Sequence, residues 1–363
     1  MEAKSTTSMG SSLAVPLIQE LAKNTPTTVP SRFIVNDEDH VPLISSSEQV
    51  LIPVIDMQKL LSGDFMDSEL GKLDHACREW GFFQLVNHGV SSSLVEKVKV
   101  EIQEFFNLPM KEKEKFWMRP GETEGFGQNF VVSEEQRLDW AYGFTMFTLP
   151  AYLRKPHLFP KLPFPLRDTL EAWSAELGNL SQKLLRQMAK ALGIDANDVK
   201  ALFEEAMQTM RMNYYPPCPK PEQVIGFNSH SDASSITILL QLNETAGLQI
   251  KKDGMWVPVI PLPDAFIINV GDILEVFTNG IYRSIEHRAT VNSTKERLSI
   301  ATFRTAKLDA ELGPAPSLIT PTTPAMFRRI SMSDYIKGFL SSKLHGKSNV
   351  DHLRVQNEDN KGY

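Results

Sequence analysis

A run of short strand-like segments between about residues 209 and 305 is the feature that most constrains the fold of this chain. Pairs such as Asp253-Gly254 and Asn279-Gly280 stand between the segments and predict tight turns. Short strands at this spacing predict a sandwich or a barrel of β-sheets. The segments comprise residues 214–215, 236–242, 248–250, 256–260, 265–270, 282–290 and 298–303.

The half of the chain before residue 209 is predicted to be rich in helices. Apolar side chains recur at helical spacing over 68–80 and 95–106, and the longest helix is predicted between Pro165 and Gly193. We therefore predict an α+β fold in four regions. These are a polar lead-in over 1–50, a mixed helix-rich region over 51–208 with strands near 52–56 and 82–86, a β-rich core over 209–310, and a C-terminal segment with a tail over 311–363, in which 332–344 form a helix.

Composition excludes several classes of partner. The chain has 363 residues, with 44 Asp and Glu against 38 Lys and Arg, so a nucleic acid or an anionic membrane is not expected as a partner. Its two cysteines, Cys77 and Cys218, lie far apart, which is typical of a reducing compartment. The sequence shows neither a secretory signal nor an apolar run of about 20 residues. We expect a cytoplasmic monomer.

Three residues in the β-rich region form a candidate metal-binding set. His230 and Asp232 are two positions apart, so an extended chain places both side chains on one face. His287 falls in a later predicted strand. Two imidazoles and one carboxylate leave several coordination positions open, which is the ligand set expected of iron(II) oxygenases. A lone H-x-D pattern is common without any metal, so the surrounding motifs matter.

Arg297-Leu298-Ser299 begins ten residues after His287 and adds a candidate carboxylate-binding site. A planar guanidinium can hold a carboxylate through two parallel hydrogen bonds, and a hydroxyl on the same face can add a third. The alternative is an exposed arginine paired with Glu296 or Glu286. The order of the motifs favours an iron enzyme that binds a 2-oxo acid.

The order H-x-D, then His, then R-x-S resembles that of the plant 2-oxoglutarate-dependent dioxygenases. The similarity covers about residues 50 to 305 and is strongest to the senescence-related-gene proteins and the poppy alkaloid O-demethylases. It is carried by GFFQLVNHG at 81–89, EGFGQ at 124–128, NYYPPCP at 213–219 and NVGDILEVFTNGIYRSIEHR at 269–288.

This resemblance implies a double-stranded β-helix, or jelly roll, surrounded by helices and carrying Fe(II) near its open end. It implies that the distal carboxylate of 2-oxoglutarate is bound by Arg297, Ser299 and Tyr215, with Asn213 close to the co-substrate near the metal. Paired aromatics such as Tyr214-Tyr215 also commonly fill a core. Dioxygen is the second co-substrate, and ascorbate is an optional reductant.

Five further residues match positions that line the substrate pocket of plant relatives: Tyr142, Phe144, Arg211, Ala233 and Phe303. Aromatic walls of this kind suit a flat or polycyclic small molecule. The alternatives are core packing for Phe144 and Phe303, and a surface salt bridge for Arg211.

The activity implied is hydroxylation, or O- or N-demethylation, of a specialised metabolite such as an alkaloid, flavonoid or phenylpropanoid, with release of succinate and CO2. Alternatives are an oxidase of the same fold that does not use 2-oxoglutarate, a non-catalytic metal-binding sensor of small molecules, and a zinc hydrolase. The chain departs from the subgroup pattern at Tyr142, Phe227-Asn228 and Arg304. Members of the subgroup tend to have an acidic residue at the position of Tyr142 and a histidine at that of Arg304. If these positions lie at the pocket rim, the two differences favour a less cationic substrate.

Overall fold

The fold was obtained as a computed structural model that describes residues 15, 18, 28–35, 51–131, 133–341 and 346–355. Most of the predicted lead-in over 1–50, the last residues of the helix predicted over 332–344, and most of the tail lie outside the described residues. The described strands are β1 (Val54–Asp56), β2 (Phe82–Val86), β3 (Gly125–Gly127), β4 (Tyr142–Leu149), β5 (Gln208–Tyr215), β6 (Phe227–His230), β7 (Ile236–Gln241), β8 (Leu248–Lys252), β9 (Met255–Pro258), β10 (Phe266–Val270), β11 (His287–Ala289), β12 (Arg297–Arg304), β13 (Glu311–Leu312) and β14 (Ile330–Ser331).

Two sheets enclose the centre of the molecule. The larger has eight strands in the order β1-β2-β10-β7-β12-β5-β4-β3, and the smaller has four in the order β6-β11-β8-β9. Neighbouring strands are antiparallel except for the parallel pair β1 and β2. Apolar side chains of both sheets, including Phe82, Ile250 and Ile267, form one buried cluster between them. This architecture agrees with the predicted jelly-roll core.

Strands from the predicted helix-rich region complete the larger sheet. β1 and β2 extend it at one edge, and β3 and β4 extend it at the other. The sequence patterns did not identify β3 or β4. The larger sheet therefore continues across the boundary predicted at 208/209, and the cavity depends on both regions.

Helices cover the outer face of the larger sheet. The described α-helices are α1 (Met57–Leu60), α2 (Met66–His75), α3 (Ser92–Asn107), α4 (Met110–Lys113), α5 (Leu166–Leu192), α6 (Ala196–Phe203), α7 (Asp272–Phe277), α8 (Met332–Leu340) and α9 (Ser348–Asp351). Within this described part, no helix combines the length and apolarity needed to cross a membrane.

The longest helix, α5, confirms the prediction for the segment after Pro165. Its buried residues include Leu170, Trp173 and Leu177, at the three- and four-residue spacing of one helical face. The Trp173 ring packs edge-on against Phe266 of β10, with 5.6 Å between centroids. Gly193 ends the helix at φ 67°, a left-handed conformation that a side chain with a Cβ disfavours.

Candidate active site

The two histidines of the candidate metal set are a cross-strand pair. β6 and β11 are antiparallel neighbours, and His230 lies directly opposite His287 in their register. Their ring centroids are 4.3 Å apart. Asp232 follows β6 and brings its Oδ1 to 3.5 Å from His230 Nε2 and 3.7 Å from His287 Nε2. The sheet pairing thus brings together residues that are 57 positions apart in the sequence.

Hydrogen bonds orient these side chains, so that one potential metal-binding atom of each is directed towards the other two side chains. His230 Nδ1 lies 2.7 Å from the Asn228 carbonyl oxygen, and His287 Nδ1 lies 3.2 Å from that of Ile285. A carbonyl oxygen only accepts, so Nδ1 of each ring carries the proton and Nε2 keeps its lone pair.

The Asp232 carboxylate is oriented in the same way. Its Oδ2 accepts hydrogen bonds from Thr237 Oγ1 at 2.6 Å and Asn269 Nδ2 at 2.8 Å, which leaves Oδ1 directed at the histidines. The three donor atoms lie within 4.8 Å of one another. Two nitrogens and one carboxylate oxygen, each held by a second residue, fit a divalent iron ion.

Protonation states near neutral pH also fit metal binding. Burial disfavours ionisation of Asp232, but His287 and His230 outweigh burial and hold its pKa well below the ordinary value. Burial, with His230 nearby, lowers the pKa of His287 to about 4. A carboxylate and a neutral imidazole are the forms that bind a metal ion.

We expect the His287 imidazole of the metal-free protein to titrate with a midpoint near 4, rather than near its ordinary 6.5. The unfolded chain binds this proton below about pH 6.5, so the contribution of His287 to folding stability is present above that pH and is lost as the pH falls towards 4. Imidazole ¹⁵N chemical shifts would measure the midpoint. A midpoint between 6 and 7 would contradict the proposed environment.

Strands β5 and β12 build the floor of the adjoining cavity. Their register pairs Arg297 with Tyr215 and Ser299 with Asn213. Because side chains alternate along a strand, every second residue faces the cavity and the others face the helices. The cavity-facing residues are Arg211, Asn213 and Tyr215 from β5, and Arg297, Ser299, Ala301 and Phe303 from β12.

Arg297 is a buried cation that has no carboxylate partner among the described residues. Its side chain is 2% exposed, its Nε has no hydrogen-bond partner in the structure, and its guanidinium carbon lies 5.0 Å from the centre of the Tyr215 ring. A Cβ on Gly247 would lie 2.8 Å from Arg297 Cδ, so glycine leaves room for the arginine. An unpaired buried charge is costly. An anionic ligand at this position would remove that cost, as 2-oxoglutarate would.

The alternative pairing of Arg297 with a neighbouring glutamate was wrong. Glu296 accepts hydrogen bonds from Tyr214 Oη at 2.6 Å and from Gln103, and Glu286 accepts from Ser229 Oγ at 2.9 Å and from Lys251. No ion pair joins either of them to Arg297 among the residues described.

Arg211 lies on the cavity wall beside Asn213. Its Nε donates to Asn213 Oδ1 at 2.7 Å, and its Nη1 donates to Thr145 Oγ1 at 3.1 Å and to Asn129 Oδ1. Its guanidinium carbon lies 5.1 Å from the centre of the Phe227 ring. Asn213 Nδ2 in turn lies 3.4 Å from Ser299 Oγ. Asn213 therefore connects Arg211 with Ser299 on β12. The alternative of a surface salt bridge for Arg211 is wrong, because Arg211 is buried and bonded to neutral side chains.

Two aromatic residues predicted to line the pocket face away from it. Tyr142 and Phe144 pair with Tyr214 and Met212, which belong to the buried core beneath the helices. The ring of Phe144 stacks on Phe105 at 5.4 Å. The prediction that Tyr142 and Phe144 line the cavity was wrong. Both lie on the helix-facing side of β4, whereas Gly143 and Thr145 lie on its cavity side.

Ala233 and Arg304 also lie away from the cavity. Ala233 is buried in the core cluster and does not line the cavity, unlike the prediction. Arg304 is buried on the helix-facing side of β12, opposite to the cavity face that includes Phe303. The expected effect of Tyr142 and Arg304 on substrate charge therefore has no structural basis, whereas Phe227 does line the cavity.

Several residues that support the site were not predicted as members of it. Asn269 is the first residue of the NVGDIL segment, and Asn129 directly follows EGFGQ. Both could have been identified from these motifs, which carry the family resemblance. Phe82 packs edge-on against His287, with 5.3 Å between ring centroids. Thr237 and Thr145 had no recognisable motif, since their roles depend on strand register.

Comparisons with known proteins agree with this geometry. Residues 206–306 match the family model of the 2OG-Fe(II) oxygenase superfamily, and residues 52–162 match that of the non-haem dioxygenase in morphine synthesis N-terminal region. Protein SRG1 of Arabidopsis thaliana is 55% identical over 98% of this chain and 100% of its own length. Oxoglutarate-dependent flavonoid 7-O-demethylase 1 of Ocimum basilicum is 55% identical over 96% of this chain and 93% of its own length.

Codeine O-demethylase of Papaver somniferum is 54% identical over 96% of this chain and 98% of its own length. Among solved structures, JOX2 in complex with 2OG, Fe and JA superposes with a TM-score of 0.87 at 32% identity, covering 95% of this chain and 99% of that chain. The jelly-roll prediction is confirmed by this likeness.

Proposed function

This chain belongs to the 2OG-Fe(II) oxygenase superfamily, and we propose that it removes an O-methyl group from a polycyclic specialised metabolite. It is an oxidoreductase that uses Fe(II), 2-oxoglutarate and dioxygen on a small molecule. In the proposed site His230, Asp232 and His287 hold the iron. Support for demethylation comes from relatives named as O-demethylases of a flavonoid and of codeine.

The co-substrate is proposed to lie along β5 and β12. Arg297, Ser299 and Tyr215 would bind its distal carboxylate, and Asn213 would lie near its metal-proximal end. The observation that carries this assignment is that Arg297 is buried, contacts Tyr215 and forms no ion pair with a carboxylate of the described residues. A zinc hydrolase would leave that arginine without a role, and a sensor would not need both motifs.

Once bound, iron supplies the redox chemistry that couples dioxygen reduction to oxidation of substrate and co-substrate. One oxygen atom enters 2-oxoglutarate, which loses CO2 and becomes succinate. The other is inserted into a C–H bond of the methyl group, and the resulting hemiacetal loses formaldehyde. The protein positions the reactants and limits the access of water through apolar cavity residues such as Leu248, Ala289 and Ala301.

Arg211 is proposed to select the substrate. It is 6% exposed on the cavity wall, and its Nη2 donates no hydrogen bond within the described part of the chain. A buried guanidinium repels a protonated amine and donates to a carbonyl or phenolic oxygen. With Phe227 and Phe303 beside it, this favours a methoxylated aromatic of the flavonoid type over an amine held close to the iron.

The test is an oxygen-dependent turnover screen of methoxylated flavonoids, phenylpropanoids and alkaloids, with Fe(II) and 2-oxoglutarate, followed by mass spectrometry. We expect products that have lost one methylene unit. The corresponding hydroxylated compounds, without the methyl group, are the matched control substrates and should not react. Products that have only gained one oxygen atom would contradict demethylation.

Arg211→Met removes the hydrogen bond proposed between Arg211 and a carbonyl or phenolic oxygen of the substrate. It should lower kcat/KM for a substrate with this oxygen by roughly 10- to 100-fold, the effect of one hydrogen bond to a charged donor. An analogue without that oxygen should lose much less. Steady-state kinetics with both substrates would measure the difference. Equal losses for the two substrates would show that Arg211 does not contact this oxygen.

We also propose a cytoplasmic monomer. Both cysteines are free and buried, as is usual in a reducing compartment, and one chain carries every residue of the proposed site.

A further inference from the structure

The strand that carries His230 is an edge strand whose outer side is covered by the C-terminal segment. β6 pairs with β11 on one side only, so its other side would leave backbone groups unpaired. Gly346 fills this position: its N–H donates to the Ser229 carbonyl at 3.1 Å, and its carbonyl accepts from the Ser231 N–H at 3.1 Å. These two bonds flank His230, and the pairing is a parallel bridge between His230 and Gly346.

A buried carboxylate holds this segment in place. Glu275 of α7 is 2% exposed and accepts hydrogen bonds from Lys347 Nζ at 2.7 Å and Arg354 Nη2 at 2.5 Å. Val350 and Leu353, between the two cations, are buried in the main core. The segment 346–354 is therefore attached at both ends by charge and in the middle by apolar packing.

Helix α7 also contacts the loop after β6, which carries Asp232, the second proposed ligand of the His230-Ser231-Asp232 motif. The Asp272 N–H donates to the Asp232 carbonyl at 2.8 Å, and Ser231 Oγ donates to Asp272 Oδ2 at 3.1 Å. Asp272 and Glu275 are three positions apart on this one helix. The helix thus contacts the His230-Ser231-Asp232 segment directly and again through the C-terminal segment.

We propose that Glu275, Lys347 and Arg354 are positioning residues for the metal centre. Their ion pairs keep Gly346 on the edge of β6, which fixes the backbone on both sides of His230. Loss of either cation leaves Glu275 partly unpaired in a buried position and releases the edge strand. This inference rests on the proposed ligand role of His230 and Asp232, but its first consequence concerns backbone hydrogen bonds that exist without metal.

The experiment compares Lys347→Met, Arg354→Met and the double variant with the wild type in the metal-free full-length chain. Hydrogen exchange of the Ser231 and Gly346 amides is measured first, and we expect it to be at least about tenfold faster in the double variant. The dissociation constant for Mn(II), a redox-stable probe, is measured next by competition with a chelator, and we expect it to rise about tenfold.

Arg329→Met is the matched control, because it removes an exposed ion pair with Glu311 (3.2 Å) from the same part of the chain. It should change neither quantity. Lys347→Arg, which keeps the charge, should retain most of the wild-type protection. If the double variant does not fold, the comparison of Lys347→Met with Lys347→Arg decides the question.

Unchanged exchange at both amides would overturn the proposal that the ion pairs of Glu275 keep Gly346 on the edge of β6, whatever the metal affinity. Faster exchange with an unchanged Mn(II) dissociation constant would overturn its role at the metal centre. Failure of the proposed substrate chemistry would affect neither measurement.

Discussion

Asp232→Ala is expected to lower iron-dependent turnover by at least about 100-fold, because it removes one of the three proposed iron ligands, and loss of residues that merely support a ligand already costs 10- to 100-fold. Asp232 Oδ1 lies close to both Nε2 atoms, at 3.5 and 3.7 Å. Without it Thr237 and Asn269 lose their shared acceptor as well. Turnover at saturating 2-oxoglutarate and the Mn(II) dissociation constant would measure the effect.

Asp64→Ala is the control for this variant, because it removes an exposed carboxylate from a turn remote from β6 in the sequence. It should keep wild-type activity and metal affinity. Full activity of Asp232→Ala would show that the iron is held elsewhere.

Arg297→Lys is expected to raise the KM for 2-oxoglutarate by roughly 10- to 100-fold, the range for hydrogen bonds to charged groups. Lysine keeps the charge but cannot form two parallel hydrogen bonds to a carboxylate. Among the described residues, no carboxylate forms an ion pair at this position that the lysine could adopt instead. The KM for the co-substrate, measured by succinate formation at a fixed substrate concentration, would show the change.

Arg304→Lys is a matched control on the same strand. Arg304 is also buried and lacks a partner for its Nε, but it faces the helices and not the cavity. We expect the KM of the Arg304→Lys variant for 2-oxoglutarate to remain within about twofold of the wild-type value, because the substituted side chain does not face the ligand. Equal increases in the two variants would point to a general loss of packing in β12.

The metal set and the carboxylate-binding motif could be predicted because their spacing is local. His230 and Asp232 are two residues apart, as are Arg297 and Ser299, and period-two alternation places each pair on one face. The pairing of His230 with His287 could not be derived from spacing, since it depends on the register of two strands distant in the sequence. The Arg297-Leu298-Ser299 motif ten residues after His287 suggested that link, and the family resemblance supported it.

Substrate-facing residues were harder to predict because a shift of one position reverses the face of a strand. The segment containing Tyr142 and Phe144 has apolar residues at both odd and even positions, and its two threonines, Thr145 and Thr148, also occupy one of each, so no polar pattern marked the inward face. The structure shows that Gly143 and Thr145, opposite Asn213 and Arg211, share the cavity side. Phe303 and Arg304 are also neighbours on one strand, and only Phe303 faces the cavity.

Long-range contacts account for what the sequence left unpredicted. β4 mixes apolar residues with Gly143, Thr145 and Thr148 within a helix-rich region, and its pairing with β5 decides its structure. The contact of Gly346 with β6 joins residues more than 100 positions apart and has no motif of its own.

The most direct test of the central claim is the molar ratio of succinate to formaldehyde formed from one methoxylated substrate in the presence of Fe(II), 2-oxoglutarate and dioxygen. We expect one succinate and one formaldehyde for each methyl group removed, with both products absent when iron or 2-oxoglutarate is omitted. Substrate oxidation without succinate would identify an oxidase of the same fold. Succinate matched to substrate oxidation, but without formaldehyde, would contradict O-demethylation.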